Sequence, residues 1–284
     1  MKGGIVYSNA VTTVSPHHAW EAQHTEVGAG LGHTLFLHQN KFSGILNGID
    51  VALWNPATDP LIIARYDTSN FQEMRAINKR HLQALLNLPV RDDVPLIGVV
   101  SRITKQKGFD LAIPALHQLL QEQGDVQVVA LGTGDADLER ELGWLALRFG
   151  DRVRAEMRFD AALAQQIYAG CDLFLMPSHF EPCGIGQMLA MRYGALPLVR
   201  KTGGLADTVQ NYDNGPADDG TGFVFEWEEM GALLGTLRWS LETYHTKRDA
   251  WTRMQIRAME TDFSWNTSAQ QYIDVYQLIM NRLT

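Results

Sequence analysis

Two consecutive strand-to-helix turns, both rich in glycine and charge, constrain this chain more than any other feature. Leu173–Met176 is a short apolar run closed by Pro177, the pattern of a buried strand that ends abruptly. Ser178-His179-Phe180-Glu181 then forms a polar turn holding one carboxylate, and Gly184-Ile185-Gly186 opens an apolar-periodic helix, Gln187–Tyr193. A second strand, Leu196–Arg200, ends in Lys201-Thr202-Gly203-Gly204 and leads into another helix start at Leu205. Turns of this kind lie at the carboxyl end of a parallel sheet, where open α/β folds bind ligands. Main-chain N–H groups at glycine-flanked helix starts suit an anion, above all a phosphate.

The same alternation fills the region before these turns. Leu96–Val100 reads as a buried strand, Ser101–Gly108 as a charged loop, and Phe109–Gln123 as a helix whose early turns Pro114 should tighten or bend. Val126–Leu131, the turn Gly132–Gly134 and a helix over Asp135–Phe149 follow, then a short strand at Arg152–Glu156 and a helix at Asp160–Ala169. Gly222–Glu226 is the last strand, and helices over Glu228–Thr243, Arg248–Thr261 and Ser264–Arg282 finish the chain. The pattern predicts an α/β fold with a doubly wound parallel sheet covered on both faces. Nearer the start, Val11–Val14 is a strand followed by a helix at His17–His24, and Pro60–Leu88 is polar and helical. Gly28–Gly32 lacks the G-x-G-x-x-G spacing and reads as a flexible loop. Asn211–Gly220 is the expected mobile excursion.

Composition excludes several classes. A net charge of −8, from 32 acidic against 24 basic residues, disfavours a polyanionic partner such as nucleic acid, while a neutral polysaccharide would not be repelled. Two cysteines, Cys171 and Cys183, fit a reducing compartment better than a disulfide framework. No apolar run approaches the roughly 20 residues of a membrane span, and the first residues lack the apolar region of a signal peptide.

Four loops follow four strands, and in a parallel sheet all four open on one edge. Arg102, Lys107, Glu181 and the glycine-rich turns therefore surround one crevice. A carboxylate at Glu181 has several uses. It can be a nucleophile of the retaining-glycosidase kind, which needs a second carboxylate that no other motif supplies. It can orient a substrate, or merely favour a helix dipole. Cys183 sits beside a helix start, where a thiol pKa can fall. No histidine is assigned to it as a base, and we read it as a structural or site-lining thiol. Asp135-Ala136-Asp137 matches a metal-holding D-x-D pattern, but it occupies the first turn of a helix, where acidic residues are favoured anyway. No catalytic metal is expected.

The blocks F-E-P-C-G at Phe180–Gly184, R-Y-G at Arg192–Gly194, T-G-G-L-A-D-T-V at Thr202–Val209 and S-R-I-T-K-Q-K-G at Ser101–Gly108 resemble bacterial glycogen synthases and plant starch synthases. The resemblance runs from Lys2–Tyr7, through Ser43–Asp50, to Asp262–Trp265 and covers nearly the whole chain. It implies a Rossmann-like C-terminal domain of a GT-B glycosyltransferase. Such an enzyme transfers glucose, with retention, from ADP-glucose to the non-reducing end of an α-1,4-glucan, without metal or other cofactor. It further implies that Arg102 and Lys107 hold the diphosphate and that Glu181 orients the donor glucose. Asn47, Gly132, Phe159, Cys183, Gly184, Ile185, Gly186, Thr202, Gly203 and Gly204 would line the donor. Two departures stand out. Gly186 replaces a threonine, and Phe159 stands where the family has a tyrosine that stacks on adenine.

The resemblance also sets an expected division of the chain. Residues 1–50 would be the remnant of an N-terminal domain with its linker, 51–263 the nucleotide-sugar-binding domain, and 264–284 a helix packing toward the N-terminal domain. The family's K-x-G-G-L motif and its N-domain histidine have no equivalent, since Lys2-Gly3-Gly4-Ile5 aligns elsewhere. The competing expectation is thus an ADP-binding half with no turnover of its own, needing a separate N-terminal domain or self-associating. Ile5–Val14 and the last helix would then expose apolar surface. The expected location is the cytoplasm of a bacterium, or the plastid stroma of a plant.

Overall fold

A strand buried on both faces has to be apolar at nearly every position, and the chain supplies such runs at Leu96–Val100, Gln127–Leu131, Leu173–Met176 and Leu196–Arg200. The computed structural model describes residues 1–215 and 218–283. A small N-terminal unit holds α1 (Lys2–Tyr7), β1 (Val11–Thr13), α2 (Pro16–His24), α3 (Gly32–Leu37) and β2 (Phe42–Gly44). Then come α4 (Phe71–Leu85), β3 (Leu96–Val100), α5 (Phe109–Glu122), β4 (Gln127–Leu131), α6 (Ala136–Arg148) and β5 (Val153–Glu156). The next stretch comprises α7 (Ala161–Gly170), β6 (Leu173–Met176), α8 (Gly186–Arg192), β7 (Leu196–Arg200), α9 (Gly203–Thr208) and β8 (Phe223–Phe225). Three helices end the chain: α10 (Met230–Thr246), α11 (Arg248–Glu260) and α12 (Trp265–Leu283).

β1 and β2 form a two-stranded parallel sheet, and the other six strands form one sheet in the order β5-β4-β3-β6-β7-β8. Every neighbouring pair in it is parallel. The order is that of a dinucleotide-binding fold, and it reverses between β3 and β6. At the reversal the ladder is short: Ile97 pairs with Leu173 and Gly98 with Phe174. α5, α6 and α10 pack over one face, and α4, α7, α8 and α11 over the other. Among the described residues no helix is long and apolar enough to cross a membrane.

Expected strands and helices appear close to their expected bounds, with three differences. Pro60–Leu88 is helical only over α4. In the stretch before it, side-chain oxygens capture the main chain: Asp59 accepts from the Leu61 N–H at 2.8 Å, Asp67 from Ser69 at 2.8 Å, and Asn70 from Asp67 at 3.0 Å. Such local bonds compete with helix formation, and Asn78 holds Ile63 and Ala64 in the same way. The second difference is the presence of α1 and α3, whose glycines lower their helix propensity. Packing of Ile5, Ala22 and Leu35 in a small separate core provides what propensity lacks. Ile5, expected at an exposed surface, is therefore buried. Tyr7 is exposed, as are Ile273, Tyr276, Leu278 and Met280 along α12. Third, the excursion expected over Asn211–Gly220 includes residues 216 and 217, which lie outside the described residues. After them Asp218 pairs with Arg253 and Arg257.

The amino edge of the sheet carries two buried cations. Arg75 donates to the main-chain carbonyls of Tyr168, Cys171 and Tyr193, at the C-terminal ends of α7 and α8. Those ends carry partial negative charge that a cation offsets. Lys79 meets Asp172 at 2.7 Å, and Asp172 also accepts the Leu96 N–H at 2.8 Å. Burial alone would lower the Lys79 pKa, but the Asp172 carboxylate and Tyr244 outweigh it, and the pKa is raised. A raised lysine pKa stabilises the fold below the unfolded value and loses that contribution as pH climbs through the folded one. Removing the cation should leave the largely buried Asp172 carboxylate with only the Leu96 N–H as partner. We expect Lys79→Ala to lower unfolding free energy by about 3–5 kcal/mol, measured by denaturant titration. An unchanged midpoint would show that the pair does not hold β3 to β6.

Candidate active site

The reversal of strand order sets the loops after β3 and β6 side by side. Lys107 ends the 3-10 turn Lys105–Lys107 after β3, and Glu181 lies in the loop after β6. Although 74 residues apart in the chain, Lys107 Nζ and Glu181 Oε2 meet at 2.5 Å. Ser178 Oγ donates to the same oxygen at 3.2 Å. Glu181 is buried, and a buried carboxylate needs this kind of cation and hydroxyl partnership to remain charged.

The loop after β6 is fixed mostly through its main chain. The His179 N–H donates to the Gln106 carbonyl at 2.9 Å. Arg200, at the end of β7, donates to the carbonyls of Ser178, at 2.8 Å, and His179. Burial pulls the Arg200 pKa down against the opposing pull of Glu228 and Glu21. The His179 ring lies between Asp110, at 2.7 Å, and Glu228, at 2.5 Å. Gly108 has a φ of +76°, and a β-carbon there would come within 2.0 Å of the Pro177 carbonyl oxygen. Only glycine allows that approach.

The turn after β7 is arranged differently from its expected use. Thr202 Oγ1 donates to Glu21 at 2.8 Å and the Gly203 N–H to the other Glu21 oxygen at 3.1 Å. The Gly204 N–H donates to the Glu181 carbonyl at 3.0 Å. These donors, expected to serve a diphosphate, are thus engaged by protein groups. Among the described residues no hydrogen bond leaves the main-chain N–H of Gly184, Ile185 or Gly186. Of the two turns, the first presents free donors. Glu21 was invisible to sequence reasoning because its partners lie about as far away in the chain as α9 does, and no motif marks it.

Arg102 is exposed and donates to Gln106 Oε1 at 3.1 Å. It borders a cavity of about 270 Å³ shared by Gly132, Thr133, Phe159 and Ala164, between the loops after β3, β4 and β5. Phe159 is 91% exposed, so its ring is available as a platform. Lys107, Glu181, Cys183 and the two glycine turns gather on the other side of the reversal. Asn47 reaches them from the segment after β2, its N–H directed at the Cys183 sulfur. Burial, aided by Glu181 and Asp207, raises the Cys183 pKa against that bond. The lowered pKa that its helix-start position allows does not arise, because a desolvated thiolate costs more than the local dipole returns. Asp137 pairs with Arg140 at 2.7 Å on the surface. Among the described residues there is no group of three or more His, Cys, Asp or Glu side chains able to hold a metal ion.

An all-parallel sheet with a buried carboxylate, two nearby cations and an aromatic-edged cavity at its strand-order reversal defines a nucleotide-binding α/β unit. The chain belongs to the glycosyl transferases group 1 family, whose pattern matches residues 87–255. Residues 1–36 match the starch synthase catalytic domain. The chain is 49% identical over 280 residues to a glycogen synthase of Streptococcus sanguinis, and 48% identical over 281 residues to one of Streptococcus pneumoniae. Each match covers 99% of this chain and 58% of the relative, so the chain spans a little over half the length of these curated relatives. The catalytic domain of starch synthase IV from Arabidopsis thaliana, bound to ADP and acarbose, superposes with a TM-score of 0.91 at 40% identity. That match covers 99% of this chain and 57% of the other. Sucrose-phosphate synthase from Thermosynechococcus elongatus, at 20% identity and a TM-score of 0.67 over 99% of this chain and 61% of the other, shares the fold.

Both cysteines are buried and free, and burial pushes the Cys171 thiol up to about 12. Neither thiol should ionise near neutral pH. Iodoacetamide should therefore modify native protein far more slowly than it modifies free glutathione, and only unfolding should expose both thiols. Rapid labelling of Cys183, followed by mass spectrometry, would contradict the raised pKa.

Proposed function

We propose that this chain carries the donor site of a retaining glucosyltransferase that moves glucose from ADP-glucose to the non-reducing end of an α-1,4-glucan. The observation that carries the proposal is the Lys107–Glu181 pair at the strand-order reversal, in a chain 49% identical over 280 residues to a relative called glycogen synthase. The adenine would occupy the cavity edged by Phe159 and Gly132, with Arg102 at its mouth. Arg102, Lys107 and the N–H groups of Gly184–Gly186 would take the diphosphate. Thr202, Gly203 and Gly204 would close the site from below.

Departure of ADP leaves negative charge on phosphate oxygen. Fixed cations and aimed N–H groups stabilise that charge more than they stabilise the intact donor, which is what lowers the barrier. Glu181, already neutralised by Lys107 and held by Ser178, is a poor nucleophile and a good acceptor for sugar hydroxyls. Its proposed role is orientation of the donor glucose. The transfer proposed here is metal-independent. ADP is favoured over UDP as the nucleotide by the starch synthase IV match, which was bound to ADP. The alternative, a nucleotide-binding half with no turnover, is not favoured by the relatives, which are called glycogen synthase. Two buried free cysteines suit a reducing location, the bacterial cytoplasm or a plastid stroma.

Calorimetric titration with ADP-glucose tests the site. Arg102→Ala and Lys107→Ala should each weaken binding by about 1.5–3 kcal/mol, the range for hydrogen bonds to charged groups. Incorporation of labelled glucose from ADP-glucose into glycogen should fall with them and should survive EDTA. Unchanged affinity in both variants would overturn the diphosphate assignment. Activity lost in EDTA and restored by Mg²⁺ would overturn metal independence.

A further inference from the structure

Glu21 lies on α2, outside the six-stranded sheet, yet its carboxylate ends inside the turn after β7. It is 7% exposed. One oxygen accepts from Thr202 Oγ1 at 2.8 Å and the other from the Gly203 N–H at 3.1 Å. Burial works against its charged form, but bonds with His18, Thr202 and Gly203 outweigh burial and keep the carboxyl below its ordinary range. A carboxylate with such donors is held ionised and in place. The helix that carries it is itself fastened at its first turn. Ser15 Oγ donates to Asp207 at 2.5 Å, and the His17 N–H donates to the same oxygen at 2.9 Å.

The turn hands this placement on. Gly203 has a φ of +43°, and a β-carbon there would lie 1.9 Å from the Glu181 carbonyl oxygen. That same oxygen accepts the Gly204 N–H at 3.0 Å. The two backbones are in contact, so a displaced turn would press on the main chain of Glu181. Beyond them stands the Glu181 carboxylate, 2.5 Å from Lys107. While Glu21 holds the Thr202 hydroxyl and the Gly203 N–H, neither is available to a diphosphate. Its influence therefore falls on the sugar end of the donor rather than on the nucleotide.

We propose that Glu21 is a positioning residue for the donor sugar, fixing the Gly203–Gly204 turn and, through it, the main chain of Glu181. The inference rests on the donor-site proposal and adds to it a residue of the N-terminal unit that touches no substrate.

Parallel calorimetry with ADP and ADP-glucose separates the sugar contribution from the nucleotide contribution. Glu21→Ala should weaken ADP-glucose roughly tenfold, the loss of about one hydrogen bond to a charged group, while leaving ADP affinity little changed. Glu21→Gln keeps an acceptor for the Gly203 N–H and lets the Thr202 hydroxyl turn to accept, so it should recover most of the loss. An equal fall for both ligands would mean general damage to the turn and would overturn the inference. So would unaltered ADP-glucose binding in Glu21→Ala, or a glutamine variant no better than alanine. Wild-type protein that binds neither ligand would instead remove the donor-site proposal, and this inference with it.

Discussion

The Lys107–Glu181 ion pair closes the sheet at the place where the ladder is weakest. Between β3 and β6 only two residue pairs are in register, Ile97 with Leu173 and Gly98 with Phe174, whereas β3 and β4 pair over five, Leu96–Val100 with Gln127–Leu131. Strands that part company early leave a crevice at their carboxyl ends, which is where doubly wound folds bind ligands. They also leave main chain without ladder partners. A lysine–carboxylate pair stands at each end of this seam, Lys79 with Asp172 at the amino edge and Lys107 with Glu181 at the carboxyl edge. Desolvation makes a buried pair at best a modest source of stability, yet breaking one is costly. The seam is thus specified more by what would be lost on parting than by what is gained on joining.

Placement of the carboxyl edge depends on the N-terminal unit as much as on the sheet. α2 reaches α9 through Ser15, His17 and Glu21. Asn47, in the segment after β2, meets Cys183. Ile49 bridges to Ser264 at the start of α12, and Ser268 Oγ donates to the Leu46 carbonyl at 2.6 Å. α2 and Asn47 thus reach the glycine turns directly, while α12 braces the segment that carries Asn47. Hydrogen bonds join these segments, and burial of Ile49 in the main core adds apolar contact beside them.

Much of this was legible in the sequence. Leu173–Met176 and Leu196–Arg200 are short apolar runs between unmistakable stops, and they form strands over those bounds. Period and punctuation are local signals, and the alternation they report determines a parallel sheet almost by itself. The sequence also places Arg102, Lys107 and Glu181 on one edge, because loops after parallel strands must open there. It was silent on which of them would meet. Pairing of Lys107 with Glu181, or of Glu21 with Gly203, is decided by strand order and helix packing, which no local pattern encodes. α1 and α3 escaped notice because glycines mask helices that only tertiary contact maintains. The segment before α4 misled for the opposite reason: its polar residues suit a helix in composition, yet Asp59, Asp67 and Asn70 turn their side chains onto the main chain.

The loop from Pro177 to Gly184 is gripped on both flanks by glycines that leave no room for a methyl group, Gly108 against Pro177 and Gly203 against Glu181. Freedom to vary is therefore unevenly distributed around the crevice. Phe180 and Ile185 point outward, each more than a third exposed, and can be exchanged without disturbing the backbone that presents them. One added carbon at either glycine would displace that backbone wholesale. New surfaces are thus within reach of single substitutions on the rim, while the frame that holds Glu181 admits almost none. The rim of the crevice can change its chemistry far more readily than the frame can change its shape.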